Sequence, residues 1–302
     1  MAKPRSPAAK WLIRRVGHPL EALFVHGVCR LFRALPLDRA SDLGGWIGRS
    51  VGPLLPGTKT ARRNLERAFP EKSRAEIDAI LRGMWDNLGR VIAEYPHLDE
   101  IGECGPDGRV EVVGAEHLAS LRDDGKAGIL VSGHFANWEV QSVTSRKMGM
   151  ELALVYRAPN NPMVGALLTD LRGAASGTHI PKGPDGARML IRILSQGGHV
   201  GMLIDQKMND GIPVPFFGRT AMTAPAAAQL AGRFGIPLCP VRTERLDGAR
   251  FRITVCPPVA MPATGDRNAD TRILMERLNA LLEQWIRERP AEWLWLHRRW
   301  PD

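Results

Sequence analysis

His134 and Glu139 are the residues of this chain whose types and spacing best suit acid–base chemistry. They lie in the run GILVSGHFANWE, residues 128–139. A carboxylate beside an imidazole fixes the ring tautomer and stabilises the imidazolium formed on proton uptake. So held, a histidine is a general base able to deprotonate an alcohol. Five residues along a regular helix amount to about 500°, which leaves two side chains roughly 140° apart. The pair therefore meets only with His134 in the turn before a helix and Glu139 in that helix's first turns. A strand, Ser132-Gly133, His134, and a helix from Ala136 or Asn137 would supply such a turn. On position alone, a histidine that merely caps a strand end is the commoner case.

Three further polar positions end predicted strands or sit in loops. Arg157 follows a strand, where its guanidinium could meet an anionic group such as a phosphate, or make a surface salt bridge. Asp205 also ends a strand and reads either as a cleft residue or as a turn former. Lys182, in the loop IPKG, reads as a phosphate ligand or as a solvated lysine. Phe216, Phe217 and Gly218 precede Arg219. Adjacent phenylalanines are more often core packing than the lining of a groove. No Gly-x-Ser-x-Gly elbow is present, so no acyl-serine intermediate is expected.

The elements that must position these residues follow from periodicity. From Arg109 onward, short β-rich runs alternate with helical segments. Strands are predicted at 109–113, 128–132, 152–156, 200–204, 237–243 and 250–256. Helices are predicted at 136–147, 162–175, 185–195, 224–234 and 271–289. That alternation predicts an α/β fold with a mixed, largely parallel sheet flanked by helices. A hairpin at Leu246-Asp247-Gly248 suggests an antiparallel edge. Ligands of open α/β sheets bind beyond the carboxyl ends of the strands, which is where His134 falls.

The first hundred residues read differently. Residues 1–10 form a polar tail, and 11–100 an amphipathic, helical region ahead of a core at 101–302. Asp38–Leu55 is Gly-rich and apolar, and Ser73 with Glu76 forms a capping-box signature. Leu20, Leu23, Phe24, Val28, Leu31, Phe32 and Leu35 recur at helical spacing. Trp11–Leu37 holds too many charges for a span of about 18 apolar residues. A basic helix lying in a membrane interface and a helix packed on the core both fit this stripe.

Composition narrows the partners. The chain has 302 residues and a formal net charge of +9. That balance suits a membrane surface, a phosphorylated lipid or an acidic carrier protein. No Lys/Arg tract or RNA-binding signature is present, so no nucleic-acid partner is expected. Cys29, Cys104, Cys239 and Cys256 form no CxxC pair and read as scattered reduced thiols. No metal site is expected. Trp293, Trp295 and Trp300, with His297, Arg298 and Arg299, read either as an interfacial contact or as ordinary packing.

The run GHFANWE resembles the H-x4-D/E motif of glycerolipid and lipid A acyltransferases, and in particular the late acyltransferases of lipid A biosynthesis. Further blocks are similar to the same family in the same order. They are RRNL through Phe69-Pro70, MWDNLGR at 84–90, Tyr156-Arg157 with Asn160-Asn161-Pro162, IDQ at 204–206, VPFFG with Ala221-Met222-Thr223, and IPLCPV at 236–241. One H-x4-E is weak, but several blocks in register are specific. The resemblance implies a glycerolipid-acyltransferase-like fold at the cytoplasmic face of a bacterial inner membrane. It implies transfer of an acyl chain from acyl carrier protein, or from coenzyme A, to a hydroxyacyl 3-hydroxyl of a lipid A precursor. The thioester would be a co-substrate, and no other cofactor is implied. His134 would be the base and Glu139 its partner. Arg157, Asp205, Lys182, Gln206 and Arg219 would bind substrate, and Phe135, Trp138, Phe216 and Phe217 would line the acyl groove. Many members begin with a membrane span. Here that segment is broken by charges, so peripheral or shallow attachment is expected. Rival readings are acylation of another glycolipid from acyl-CoA, a non-catalytic lipid-binding protein of the same fold, and a thioesterase.

Overall fold

A computed structural model describes residues 6, 13–105, 107–156, 159–172 and 177–300. Arg157 and nearly all of the 1–10 tail lie outside them. After a short helical turn at 13–17, four longer helices come first, α1 (His18–Arg33), α2 (Leu37–Val51), α3 (Gly57–Ala68) and α4 (Arg74–Glu94), with a one-turn helix at Leu98–Ile101 after them. The capping box that opens α4 is formed as expected, with the Ser73 side chain on the Glu76 amide and the Glu76 carboxylate on the Ser73 amide.

The glycines of α2 have a packing role. A Cβ on Gly48 would overlap the backbone carbonyl of Trp85, and one on Gly44 would overlap that of Gly89. Helices α2 and α4 thus approach backbone to backbone, which only residues without side chains allow.

The rest alternates. It runs β1 (Val110–Val113), α5 (Ala115–Asp123), β2 (Gly128–Ser132), α6 (Val140–Lys147), β3 (Leu152–Tyr156), α7 (Pro162–Arg172), β4 (His179–Pro181), α8 (Pro184–Ser195), β5 (His199–Leu203), β6 (Lys207–Phe216), β7 (Arg219–Thr223), α9 (Ala226–Phe234), β8 (Leu238–Arg245), β9 (Phe251–Val255) and α10 (Arg267–Glu288). Seven strands form one sheet in the order β1-β9-β8-β2-β5-β3-β4. All its pairings are parallel except β8–β9. The expected α/β fold with a largely parallel sheet and an N-terminal helical region is the one observed. The final hairpin is not an edge, however: β9 lies inside the sheet because β1 pairs along its free side.

Strand β2 is central and wholly buried, with β8 on one side and β5 on the other. Its register with β5 is Gly128↔His199 through Ser132↔Leu203. Both chains leave the sheet together, and the Ile204 amide still donates to the Ser132 carbonyl at 2.9 Å. That register decides the site.

Strands β6 and β7 were not foreseen. They form a separate hairpin joined by Phe217-Gly218, both at positive φ (52° and 66°). Two such residues make a tight two-residue turn whose twist suits a hairpin. Phe216 and Phe217 are buried there in an aromatic cluster with Trp293, Trp295 and Trp300. They are core residues, not the walls of an acyl groove. Phe135 is likewise buried, edge-on to Trp285. The three C-terminal tryptophans are also buried, which removes them from any interfacial role.

Candidate active site

The parallel register carries β2 and β5 past the sheet edge side by side, so His134 and Asp205, 71 residues apart, arrive opposite each other. The His134 ring donates from Nδ1 to Asp205 Oδ1 at 2.8 Å. Its backbone amide donates to Oδ2, also at 2.8 Å. The carboxylate bonded to His134 is therefore Asp205, where Glu139 was expected. The local reason is Ala136, whose positive φ of 46° breaks the chain direction. The helix α6 starts only after Glu139, which stands at its N-cap instead of in its first turns. Glu139 is buried and accepts the Tyr95 hydroxyl at 3.1 Å.

Asp205 is fully buried, and its second oxygen takes a third donor, the Trp293 indole N–H at 2.7 Å. Burial alone would push this carboxyl up. The His134 charge and hydrogen bond, with His297 beyond, outweigh it and hold the group well below the usual carboxylate range. An ionised Asp205 receiving Nδ1–H leaves the lone pair of His134 on Nε2. Gln206 Nε2 lies 3.3 Å from that atom, so the amide marks the direction of approach. Trp138 stands edge-on to the imidazole at 5.0 Å, half-buried. His134 itself retains some exposure, 14% of its side chain. An oriented, half-buried imidazole whose Nε2 meets, among the described residues, only the Gln206 amide at the surface is suited to taking a proton from an incoming hydroxyl.

The loop is braced from three sides. The Asn87 amide of α4 donates to the Ala136 carbonyl at 3.0 Å. The Ala136 amide donates to the Glu292 carbonyl, and the Leu294 amide to the His134 carbonyl. Beneath lies a buried network centred on Glu94. Its carboxylate accepts from both Arg245 guanidinium nitrogens, from Ser41 at 2.6 Å and from Asn137 at 2.9 Å. A carboxylate at no exposure is costly to bury unless its oxygens are satisfied, and these donors satisfy both.

Of the other expected site residues, Gln206 joins the site. Lys182 is exposed in the loop after β4. Arg219 is exposed at the β6–β7 turn, where its Nε reaches the Arg67 carbonyl at 3.4 Å. Neither makes a hydrogen bond to His134 or Asp205. Missed by sequence reasoning were Trp293 and His297. His297 donates from Nε2 towards the Asp205 carbonyl at 3.4 Å, and its ring lies 6.3 Å from that of His134. Their cluster of aromatic and basic residues was visible, but nothing local tied it to position 134.

A His–Asp pair set beyond the central strands of a parallel sheet is where open α/β proteins place a working site. The profile of the bacterial lipid A biosynthesis acyltransferase family matches residues 12–302, and the chain belongs to that family. It is an acyltransferase. It is 27% identical over 284 residues to the lipid A biosynthesis lauroyltransferase of Escherichia coli, covering 90% of this chain and 89% of the relative. It is 26% identical over 286 residues to the palmitoleoyltransferase of the same pathway and organism, covering 90% and 88%. It is also 23% identical to the phosphatidylinositol mannoside acyltransferase of Mycolicibacterium smegmatis, covering 90% and 88%.

Proposed function

We propose that the protein moves a fatty acyl chain from an acyl thioester, carried by acyl carrier protein, to a hydroxyl of a lipid A precursor. The observation that carries the reading is the oriented His134–Asp205 pair in a chain of this family. The acceptor hydroxyl displaces the Gln206 amide and places its proton on His134 Nε2. The oxygen attacks the thioester carbonyl, and Asp205 stabilises the imidazolium that forms. The tetrahedral intermediate then expels the thiolate, which takes the proton back from His134. Arg157 is proposed to bind the oxyanion or a substrate phosphate. Glu139 is proposed to hold the loop through Tyr95 and so to act at one remove. No residue of this scheme calls for a metal or cofactor.

Enzyme and acceptor meet at the cytoplasmic face of the inner membrane in this proposal. No helix among the described residues is long and apolar enough to cross a membrane. Leu20, Leu23, Phe24 and Leu31 of α1 are exposed, which supports peripheral attachment. The mycobacterial relative, named for a mannoside, supports a second reading in which another glycolipid is the acceptor.

The test compares three variants with defined donors and acceptors, read by mass spectrometry of the lipid product and of lipid A from cells with and without the protein. His134→Ala is expected to abolish transfer. Asp205→Asn should lower kcat by about 10²–10⁴, the usual share of general-base catalysis. Glu139→Gln should cost less than Asp205→Asn. Full activity of His134→Ala would remove the mechanism. The reverse order, with Glu139→Gln inactive and Asp205→Asn near normal, would return the partnership to Glu139.

A further inference from the structure

The strap that closes the molecule, residues 290–300, carries three buried tryptophans whose indole N–H groups end differently. Trp295 donates to the Pro290 carbonyl at 2.7 Å and Trp300 to the Phe216 carbonyl at 3.2 Å. Those are the backbone partners a buried indole ordinarily finds. Trp293, at no exposure, donates instead to the side-chain carboxylate of Asp205 at 2.7 Å. We propose that Trp293 is a positioning residue of acyl transfer: its N–H, shared on Asp205 Oδ2 with the His134 amide, sets the orientation and acceptor strength of the carboxylate that holds the His134 ring.

The frame around Trp293 does not depend on that bond. Phe135 and Trp293 form a backbone bridge. The Leu294 amide is tied to the His134 carbonyl at 3.1 Å and the Glu292 carbonyl to the Ala136 amide at 2.9 Å. Asn64 of α3 donates to the carbonyls of Trp295 and His297 at 2.8 and 2.7 Å. The indole also packs edge-on against Trp295 at 4.6 Å. A backbone so pinned brings the N–H to Asp205 without needing it for the fold. Hydrogen bonds to an ionised acceptor are roughly twice as strong as neutral ones, so the donor's loss is felt at the carboxylate.

The charged and titratable groups facing Asp205 are His134, His297 and, more distantly, Arg299. Deleting the Trp293 N–H leaves Oδ2 with one donor. The carboxylate then draws more strongly on His134 Nδ1–H and favours the protonated ring. This rests on His134 acting as the base. Trp293→Phe keeps the ring and removes the donor. It should lower kcat about tenfold to a hundredfold, as expected for a residue that orients a working histidine. The acid limb of kcat/KM should move to higher pH, with KM for the thioester close to wild type. Trp295→Phe, which loses a bond to a carbonyl in the same strap, should leave the limb in place.

Folded Trp293→Phe with wild-type kcat and an unmoved acid limb would overturn the inference. So would Trp293→Phe and Trp295→Phe losing activity alike with the same profile. A measurement on the wild-type protein stands in if Trp293→Phe does not fold. Of the eight indole N–H signals in ¹⁵N-tryptophan-labelled protein, one should shift in His134→Ala and be lost from its place in Asp205→Asn. If no signal does so, the coupling is absent. His134→Ala separates the two levels: activity in that variant sinks the base itself, whereas an inactive His134→Ala beside a normal Trp293→Phe sinks only the role of Trp293.

Discussion

Around Asp205, buried charge and buried neutrality sit side by side. Asp205 stays ionised because three donors converge on it. Arg299, also fully buried, keeps its charge by donating to the Met222 carbonyl and Thr223 Oγ1 and lying over the Phe216 ring. Burial nonetheless pulls its pKa down to about 10. His297 feels both and is pushed down to about 4. Burial is the main cause, His134 and Arg299 add to it, and Asp205 offsets only part. The unfolded chain takes up a proton at an ordinary histidine near 6.5, whereas the folded one does so only near 4. Between those values the unfolded state binds more protons, so stability falls as pH drops through that window. Urea unfolding of the wild type should therefore give a lower midpoint at pH 5 than at pH 7. His297→Gln, which cannot titrate, should lose part of that difference. An equal pH difference in wild type and variant would mean that His297 is not buried neutral.

At the scale of elements, the α2–α4 contact makes a prediction that helix propensity alone would get wrong. Gly→Ala in an exposed helix normally stabilises, by up to about 1 kcal/mol. A methyl group on Gly27 of α1 would meet nothing within 4 Å, so Gly27→Ala should be neutral or stabilising. Gly48→Ala would drive its methyl into the Trp85 carbonyl and should cost about 1–3 kcal/mol, as overpacking does. Thermal unfolding of the two variants should move Tm in opposite directions, and a gain for Gly48→Ala would mean the helices do not touch as described. The same contrast explains what could be read in advance. Strands β2 and β3 match their predicted limits because short apolar runs between turn signals are local patterns. Strand β6 escaped because Asn209, Asp210, Gly211 and two prolines spoil its alternation, and β4 is only three residues long. His134 was legible as a strand-end imidazole. Its partner was not, because which strand lies beside β2 is a non-local fact. Helical geometry offered Glu139, and sheet register supplied Asp205.

Across the whole molecule, three of the recognisable sequence blocks, far apart in the chain, each supply an asparagine that ties separate segments together. Asn64 holds the strap, Asn87 holds Ala136, and Asn161 donates to the His18 carbonyl and Glu21 of α1. The last contact ties the first long helix to the sheet side of the fold while leaving one flank of α1 open. The amphipathic stripe divides accordingly: Phe32 is buried and Val28 and Leu35 pack beside it, whereas Phe24 is 73% exposed. A second apolar tip lies at the end of α2, where Leu54 is 83% exposed beside a groove lined by Lys59, Arg62 and Arg63. Exposed apolar side chains on α1, and a leucine next to cations at the end of α2, suit the boundary between acyl chains and anionic headgroups. Each such side chain gains up to about 1.5–3 kcal/mol on full burial, so removing one should be measurable. The protein should co-float with vesicles containing phosphatidylglycerol, and less with phosphatidylcholine alone. Raising the salt concentration should weaken the anionic component. Phe24→Glu and Leu54→Glu should each weaken binding while leaving transfer to a short-chain, detergent-dispersed acceptor intact. Wild-type binding that ignores both lipid charge and the Phe24 substitution would mean that the open flank of α1 faces something other than a bilayer.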